Sequence, residues 1–262
     1  MEIRTNELRF TRLTIANAKD SSDFSVVHDH NFYELILFES GDADYVVEGR
    51  RYPLKKNDLI VTRPLTYHYI AMRSNVDYKR FLIGFQASIL DQALLNSLPD
   101  DIEVVNCPEH SIIHENFERL YYYSKTLTKE QFLDLFPSLL KEILYNLVLS
   151  KSDVVHIPSE ISPILSRALA YINENLYSLK DLKEIAEHLF ISTSYLFKLF
   201  KQQLRISPKQ YVQLKRLHLA KSLLAHGKKP SAVYAECGFD SYIGFYKQYV
   251  KCFGHPPSQE KS

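Results

Sequence analysis

Between Asp181 and Lys251 the sequence spells one pattern twice: a short helix, a tight turn, and a second helix with a polar, basic outward face. In the first copy Asp181 stands at the N-cap with Glu184 three residues on, a capping box. Leu182, Ile185, Ala186 and Leu189 form an apolar stripe, Phe190-Ile191 make the turn, and Ser192 caps a helix from Thr193 to about Gln203. That helix buries Leu196, Leu199 and Phe200 and turns Ser194, Phe197, Lys198 and Lys201 outward. A long helix from Pro208 to about Ala225 leads to the second copy, with a helix at Ser231–Glu236, a turn at Cys237-Gly238-Phe239 and a helix at Ser241–Lys251. Helices this short are not stable alone, because nucleation is costly and few hydrogen bonds follow. They must share one core, which restricts this half to a small all-helical domain.

The two outward-facing helices lie roughly 48 residues apart. Set on one side of a domain about 34 Å apart, they enter successive major grooves of DNA. Charge agrees. Residues 161–262 hold 15 Lys+Arg against 7 Asp+Glu, whereas residues 1–160 hold 17 against 24. A basic half joined to an acidic one suggests that only the first meets nucleic acid.

The motifs of this half resemble those of the AraC/XylS family of bacterial regulators. Ile185-Ala186-Glu187, Leu189, Ile191-Ser192, Tyr195-Leu196, Lys198 and Phe200-Lys201 are similar to the family's first unit. Ile206-Ser207-Pro208, Tyr211, Arg216-Leu217, Ala220 and Leu223-Leu224 resemble its connecting helix. Gly238-Phe239, Phe245, Lys247, Lys251, Gly254 and Pro257-Ser258 resemble its second unit and terminal signature, so the likeness runs from about Ile161 to Gln259. It implies base contacts from Ser194, Phe197 and Lys198 and from Ile243, Tyr246, Lys247 and Gln248. It also places Ser192, Thr193, Lys201, Ser241 and Lys251 at phosphates, which fix register without reading sequence. The chemistry suits these roles: lysine donates to guanine O6 and N7, glutamine pairs with adenine, and Phe197 or Ile243 meets a thymine methyl. Three positions depart from the pattern. Tyr234 stands where alanine is usual, Gly244 where a larger residue is usual, and Arg205 where glycine usually ends the first recognition helix. A volume exchange between Tyr234 and Gly244 is expected, leaving the second unit a weaker reader than the first.

The other half is patterned differently. Up to about Gly84, short strands such as Phe32–Phe38, Ala43–Glu48, Arg51–Leu54 and Leu59–Thr62 alternate with turns at Ser40-Gly41-Asp42, Gly49-Arg50 and Lys56-Asn57-Asp58. Beyond Gln86 the period lengthens to that of two amphipathic helices within about 109–150. His28, His30, Glu34 and Gly41, then Pro64 and His68, resemble the metal motif of cupins, but the glycine usual after the proline is lacking and His68 comes one residue early. AraC-like sensor domains are cupin-like folds, generally without a catalytic metal, so the resemblance implies an effector pocket lined by His28, His30, Glu34, Tyr45, Arg63 and His68, with Tyr33 and Tyr67 either joining it or packed outward.

The expected fold is thus an α+β multidomain chain. Residues 1–150 form a cupin-like antiparallel β-barrel with its own helices, residues 151–160 a linker, and residues 161–262 an all-α domain with two helix-turn-helix units. The expected function is sequence-specific regulation of transcription under a small-molecule effector. The expected partners are double-stranded DNA, that effector, a second copy of the chain through the helices near 109–150, and RNA polymerase. No catalytic residue, metal or cofactor is expected. The alternative is a metal-dependent cupin enzyme with a helical appendage. No stretch approaches eighteen apolar residues, the N-terminus shows no apolar leader pattern, and the three cysteines, Cys107, Cys237 and Cys252, share no ligand spacing. A cytoplasmic protein with no membrane partner is the expectation.

Overall fold

The computed structural model describes residues 2–20, 32–64, 66–99, 103–149, 162–225 and 227–260. The chain divides into two compact units, Met1–Ser159 and Glu160–Ser262. The expected linker 151–160, like His28 and His30, lies outside the described residues.

The first unit holds nine strands and three helices among the described residues: β1 (Glu2–Arg4), β2 (Leu8–Ile15), β3 (Tyr33–Ser40), β4 (Ala43–Val47), β5 (Arg50–Pro53), β6 (Asp58–Thr62), β7 (His68–Met72), β8 (Tyr78–Phe85), α1 (Gln92–Asn96), β9 (Val104–Asn106), α2 (Ile112–Thr126) and α3 (Lys129–Leu149). A six-stranded sheet in the order β1-β2-β8-β3-β6-β9 faces a three-stranded sheet, β5-β4-β7, and every pairing is antiparallel. Both faces of the large sheet are covered, which is why its strands are continuous apolar runs. Leu35, Leu37, Leu59, Val61, Phe81, Ile83 and Phe85 point to the helices. Their alternates Ile36, Phe38, Ile60 and Leu82 point to the small sheet. The β4–β5 turn falls on Glu48-Gly49, both at positive φ (44° and 80°), one residue before the expected Gly49-Arg50.

Helices α2 and α3 close the outer layer. Ser111 caps α2 by accepting from the His114 amide (3.3 Å), and the buried Asn116 donates to Glu142 on α3 (2.9 Å). Pro137 removes one backbone bond inside α3, a cost of about 3 kcal/mol. The helix persists because Phe132, Phe136, Leu139, Leu140, Ile143, Leu144 and Leu147 are buried, each stabilising by about 1.5–3 kcal/mol. Arg12 on β2 ties the sheet to this layer. Its guanidinium lies 4.5 Å from the Phe81 ring centre and 4.8 Å from that of Tyr121 while donating to Glu39.

The second unit is helical: α4 (Pro163–Glu174), α5 (Leu182–His188), α6 (Thr193–Gln203), α7 (Pro208–Ala225), α8 (Pro230–Glu236) and α9 (Tyr242–Phe253). Three of the six open with proline, whose fixed φ suits a first helical residue and whose missing N–H is not needed there. The capping box of α5 is present, with Glu184 accepting from the Asp181 amide (2.9 Å) and Asp181 from that of Lys183 (3.0 Å). Ser192 caps α6 and Ser241 caps α9, each accepting a backbone N–H at 3.2 Å. The C-cap of α6, in doubt because of Arg205, does form: Leu204 donates to Phe200 (2.8 Å) and Arg205 takes the left-handed conformation, φ 59°.

The turns of the two helix pairs close in the same way. Ile191 donates to Ala186 and Phe239 to Tyr234, both at 2.9 Å. Phe190 (φ 55°) therefore holds the left-handed position that Gly238 (φ 77°) holds in the second pair. Phe190 is 92% exposed, so its ring contributes no burial to offset that conformation. Phe190→Asn, a residue tolerant of this region, is expected to raise stability by about 1 kcal/mol. A urea midpoint that does not rise at unchanged slope would count against this.

Candidate nucleic-acid interface and sensor pocket

In the helical unit α6 and α9 are amphipathic because each packs one stripe on α7. Leu196, Leu199 and Phe200 are buried on α6, and the Phe200 ring meets Tyr211 of α7 edge-on at 5.8 Å. Phe245 and Tyr249 are buried on α9 against Leu217, Ala220 and Leu224 of α7. Burying these stripes turns the opposite faces to solvent. Ser194, Phe197 and Lys198 are exposed on α6, and Ile243 (68% exposed), Tyr246 and Lys247 on α9. Gln248 is half-buried and lines a cleft between the two helix pairs. Lys201 and Lys251 are exposed near the helix ends and Thr193 is half-buried. The Ser192 and Ser241 oxygens are engaged as caps, which leaves each hydroxyl proton available to an outside acceptor. Sequence reasoning missed Tyr195 and Tyr242, exposed aromatics within the first turns of the two helices. Their signal was available, since each follows its capping serine within three residues.

The expected exchange of volume between Tyr234 and Gly244 does not occur. The Tyr234 ring packs edge-on against Tyr242, 5.9 Å away. A Cβ on Gly244 would meet the Ser241 hydroxyl at 3.1 Å and nothing else within 4 Å, so the space beside it opens onto the cleft. Tyr234 on α8 meets α9 at Tyr242, whereas Gly244 of α9 borders the cleft, and a sequence pattern does not reveal how the two helices are rotated against each other.

The cleft has a volume of about 410 Å³ and is bordered by the starts of α5 and α9, with α7 behind. Arg216 of α7 is fixed there. Its Nε donates to Leu176 O (2.9 Å), Nη1 to Gly238 O (2.8 Å) and Nη2 to Leu179 O. Burial lowers the pKa of this guanidinium, against the opposing pull of Asp240, but arginine stays charged.

The expected sensor residues lie on the inner faces of the two sheets. Glu34 shares its side of β3 with Ile36 and Phe38, and its register opposes Thr62. Glu34 and His68 meet at 3.4 Å with side chains 13% and 4% exposed. His68 Nδ1 donates to Thr66 O (2.9 Å), which leaves Nε2 facing the carboxylate. Tyr45, fully buried, shares a hydrogen bond with Thr62 (2.8 Å), and burial drives its hydroxyl pKa well up. Beside it, Tyr52 donates to Glu103, which also pairs with Arg50. Burial raises the Glu103 pKa, with Tyr52 and Arg50 opposing.

The structure thus gathers Glu34, His68 and Tyr45, while Arg63 donates to Pro99 O at the margin. Tyr67 is buried, and of the two placements open to Tyr33 it takes the outward one, on the helix side of the sheet, stacked on Phe85 at 5.3 Å. Thr62, Tyr52 and Glu103 are additions. Thr62 was legible as the alternate of Ile60, but Glu103 precedes a three-residue strand and gave no signal. Among the described residues no three His, Cys, Asp or Glu side chains converge on a metal position. No helix among them is long and apolar enough to cross a membrane.

Comparison with known proteins bears on both units. The model of an AraC-like ligand binding domain matches residues 13–148, and that of a helix-turn-helix domain matches residues 185–261. The probable transcriptional regulator LumQ of Photobacterium leiognathi is 26% identical over 277 aligned positions, covering 99% of this chain and 98% of that protein. The transcriptional activator RhaS of Escherichia coli O139:H28 is 24% identical over 244 positions, covering 88% and 85%. Among solved structures, ToxT from Vibrio cholerae O395 aligns over 97% of both chains at 14% identity with a TM-score of 0.40.

Proposed function

The chain belongs to the AraC family of transcriptional regulators, with an N-terminal ligand-binding domain and a helix-turn-helix DNA-binding domain, and from this premise we propose which residues carry each task. Ser194, Phe197 and Lys198 on α6 and Ile243, Tyr246, Lys247 and Gln248 on α9 read base edges in two major grooves. Ser192, Thr193, Lys201, Ser241 and Lys251 hold the flanking phosphates. The observation that carries this reading is the pair of capped helices, each burying one stripe on α7 and exposing the face opposite. At about 1.5 Å per residue the 18-residue α7 spans about 27 Å, close to the 34 Å between successive grooves. The α9 helix, with glycine at Gly244 costing about 1 kcal/mol against alanine, is the weaker reader.

A small effector binds between the sheets near Glu34, Tyr45, Arg63 and His68, with His28 and His30 contributing from outside the described residues. It acts by binding the DNA-competent and incompetent states with different affinity. The chain works in the cytoplasm as a non-enzymatic homodimer without a metal cofactor, and RNA polymerase is its partner at promoters. Exposed Ile112, Tyr122, Tyr145 and Leu149 on α2 and α3 support that helical pair as the dimer face.

Footprinting of bound genomic sites by the full-length chain tests the reading, because the neighbouring genes point to effectors. With an effector in hand, His68→Ala is expected to abolish the response while DNA affinity without effector stays within about twofold. A retained response would remove His68 from the pocket.

A further inference from the structure

The two helix-turn-helix units both pack on α7. The packing that joins them runs through α7, which meets α6 on one side and α8 and α9 on the other. A cleft of about 410 Å³ separates the start of α5 from the start of α9. Arg216 makes a polar connection across that gap. Arg216 projects from α7 and donates to Leu176 O and Leu179 O in the segment that leads into α5. With its remaining terminal nitrogen it donates to Gly238 O in the turn that leads into α9. Leu179 lies three residues before the first residue of α5 and Gly238 four before the first of α9. The fit is close: a Cβ on Gly238 would approach both the guanidinium carbon and Tyr177 O at 2.9 Å.

We propose that Arg216 is a positioning residue that sets the separation of the two recognition helices, and so selects the spacing between the two DNA segments they read. A planar guanidinium presents its donors in a fixed fork, so three simultaneous bonds fix two backbone segments, one before α5 and one before α9, relative to the α7 helix that carries it. Lysine offers a point charge on a flexible stem and cannot reproduce the fork. The units on either side of the cleft then keep their own cores, Leu196-Leu199-Phe200 in one and Val233-Phe245-Tyr249 in the other, but lose a common reference. This rests on the reading that both α6 and α9 contact bases.

The probe is a duplex selected in vitro by the full-length wild-type chain, with two kinds of derivative. One carries one or two base pairs inserted between the footprints of α6 and α9, and the other has either footprint scrambled. Arg216→Lys and Arg216→Met are expected to bind the parent duplex at least 10-fold more weakly than wild type. They are expected to bind the scrambled duplexes within threefold of wild type. The penalty for insertion, large in the wild type, is expected to shrink at least fivefold. An equal loss on every duplex, an unchanged insertion penalty, or wild-type affinity throughout would overturn the proposal. So would loss of the folded helical unit in both variants by circular dichroism, since Arg216 would then serve the fold and not the spacing. If scrambling either footprint costs the wild-type chain nothing, the two-reader premise itself fails, whatever the Arg216 variants do.

Discussion

Gly238→Ala is expected to destabilise the helical unit by about 3 kcal/mol. Two effects add. Gly238 sits at φ 77°, where an L-residue with a Cβ pays about 1–2 kcal/mol. Its Cβ would also arrive 2.9 Å from the Arg216 guanidinium and 2.9 Å from Tyr177 O, and one of those is backbone that cannot swing aside. Overpacking of this kind costs about 1–3 kcal/mol. Urea melting followed by circular dichroism measures the sum, and Phe190→Asn at the equivalent turn is the matched control with the opposite sign. A loss below about 1 kcal/mol would mean that the guanidinium yields easily, and would weaken the case for Arg216 as a rigid strut.

Lys198→Ala is the larger functional effect. Lys198 is exposed at the middle of the α6 outer face, flanked by Phe197 and clear of the buried stripe Leu196-Leu199-Phe200. Its removal is therefore expected to leave stability within about 0.5 kcal/mol, as for most surface substitutions. Affinity for the selected duplex should fall by about 1–3 kcal/mol, with discrimination relaxed at one base pair. Lys201→Ala provides the contrast, because a phosphate contact is lost equally on all sequences and lowers the salt slope by about one. Titrations on single-base-pair variants at two salt concentrations separate the cases. A uniform loss for Lys198→Ala would move it to the phosphate class.

The helix pairs were legible because their determinants are local. A capping box spans Asp181 to Glu184, a capping serine reaches three residues forward, and an apolar stripe repeats every three or four residues. The sandwich was legible only in part. The runs that became β3, β4 and β6 stood out as apolar, whereas β2, with Arg9 and Arg12 inside it, did not. Arg12 is tolerated there because Phe81, Tyr121 and Glu39 receive it, and none of these is near in sequence.

The two helix-turn-helix units, their caps and their outward faces were determined by the sequence alone, since each depends on residues within about one helical turn of one another. Tertiary structure decided the rest. It placed Glu34 against His68 and Tyr52 against Glu103, turned Tyr33 out of the sensor pocket, and gave Tyr234 and Gly244 separate surroundings. It also brought Arg216 to carbonyl groups 40 residues before it and 22 after it. Such pairings form only when distant segments close upon one another, and the direction of a side chain at that moment is set by the packing of the elements that carry it.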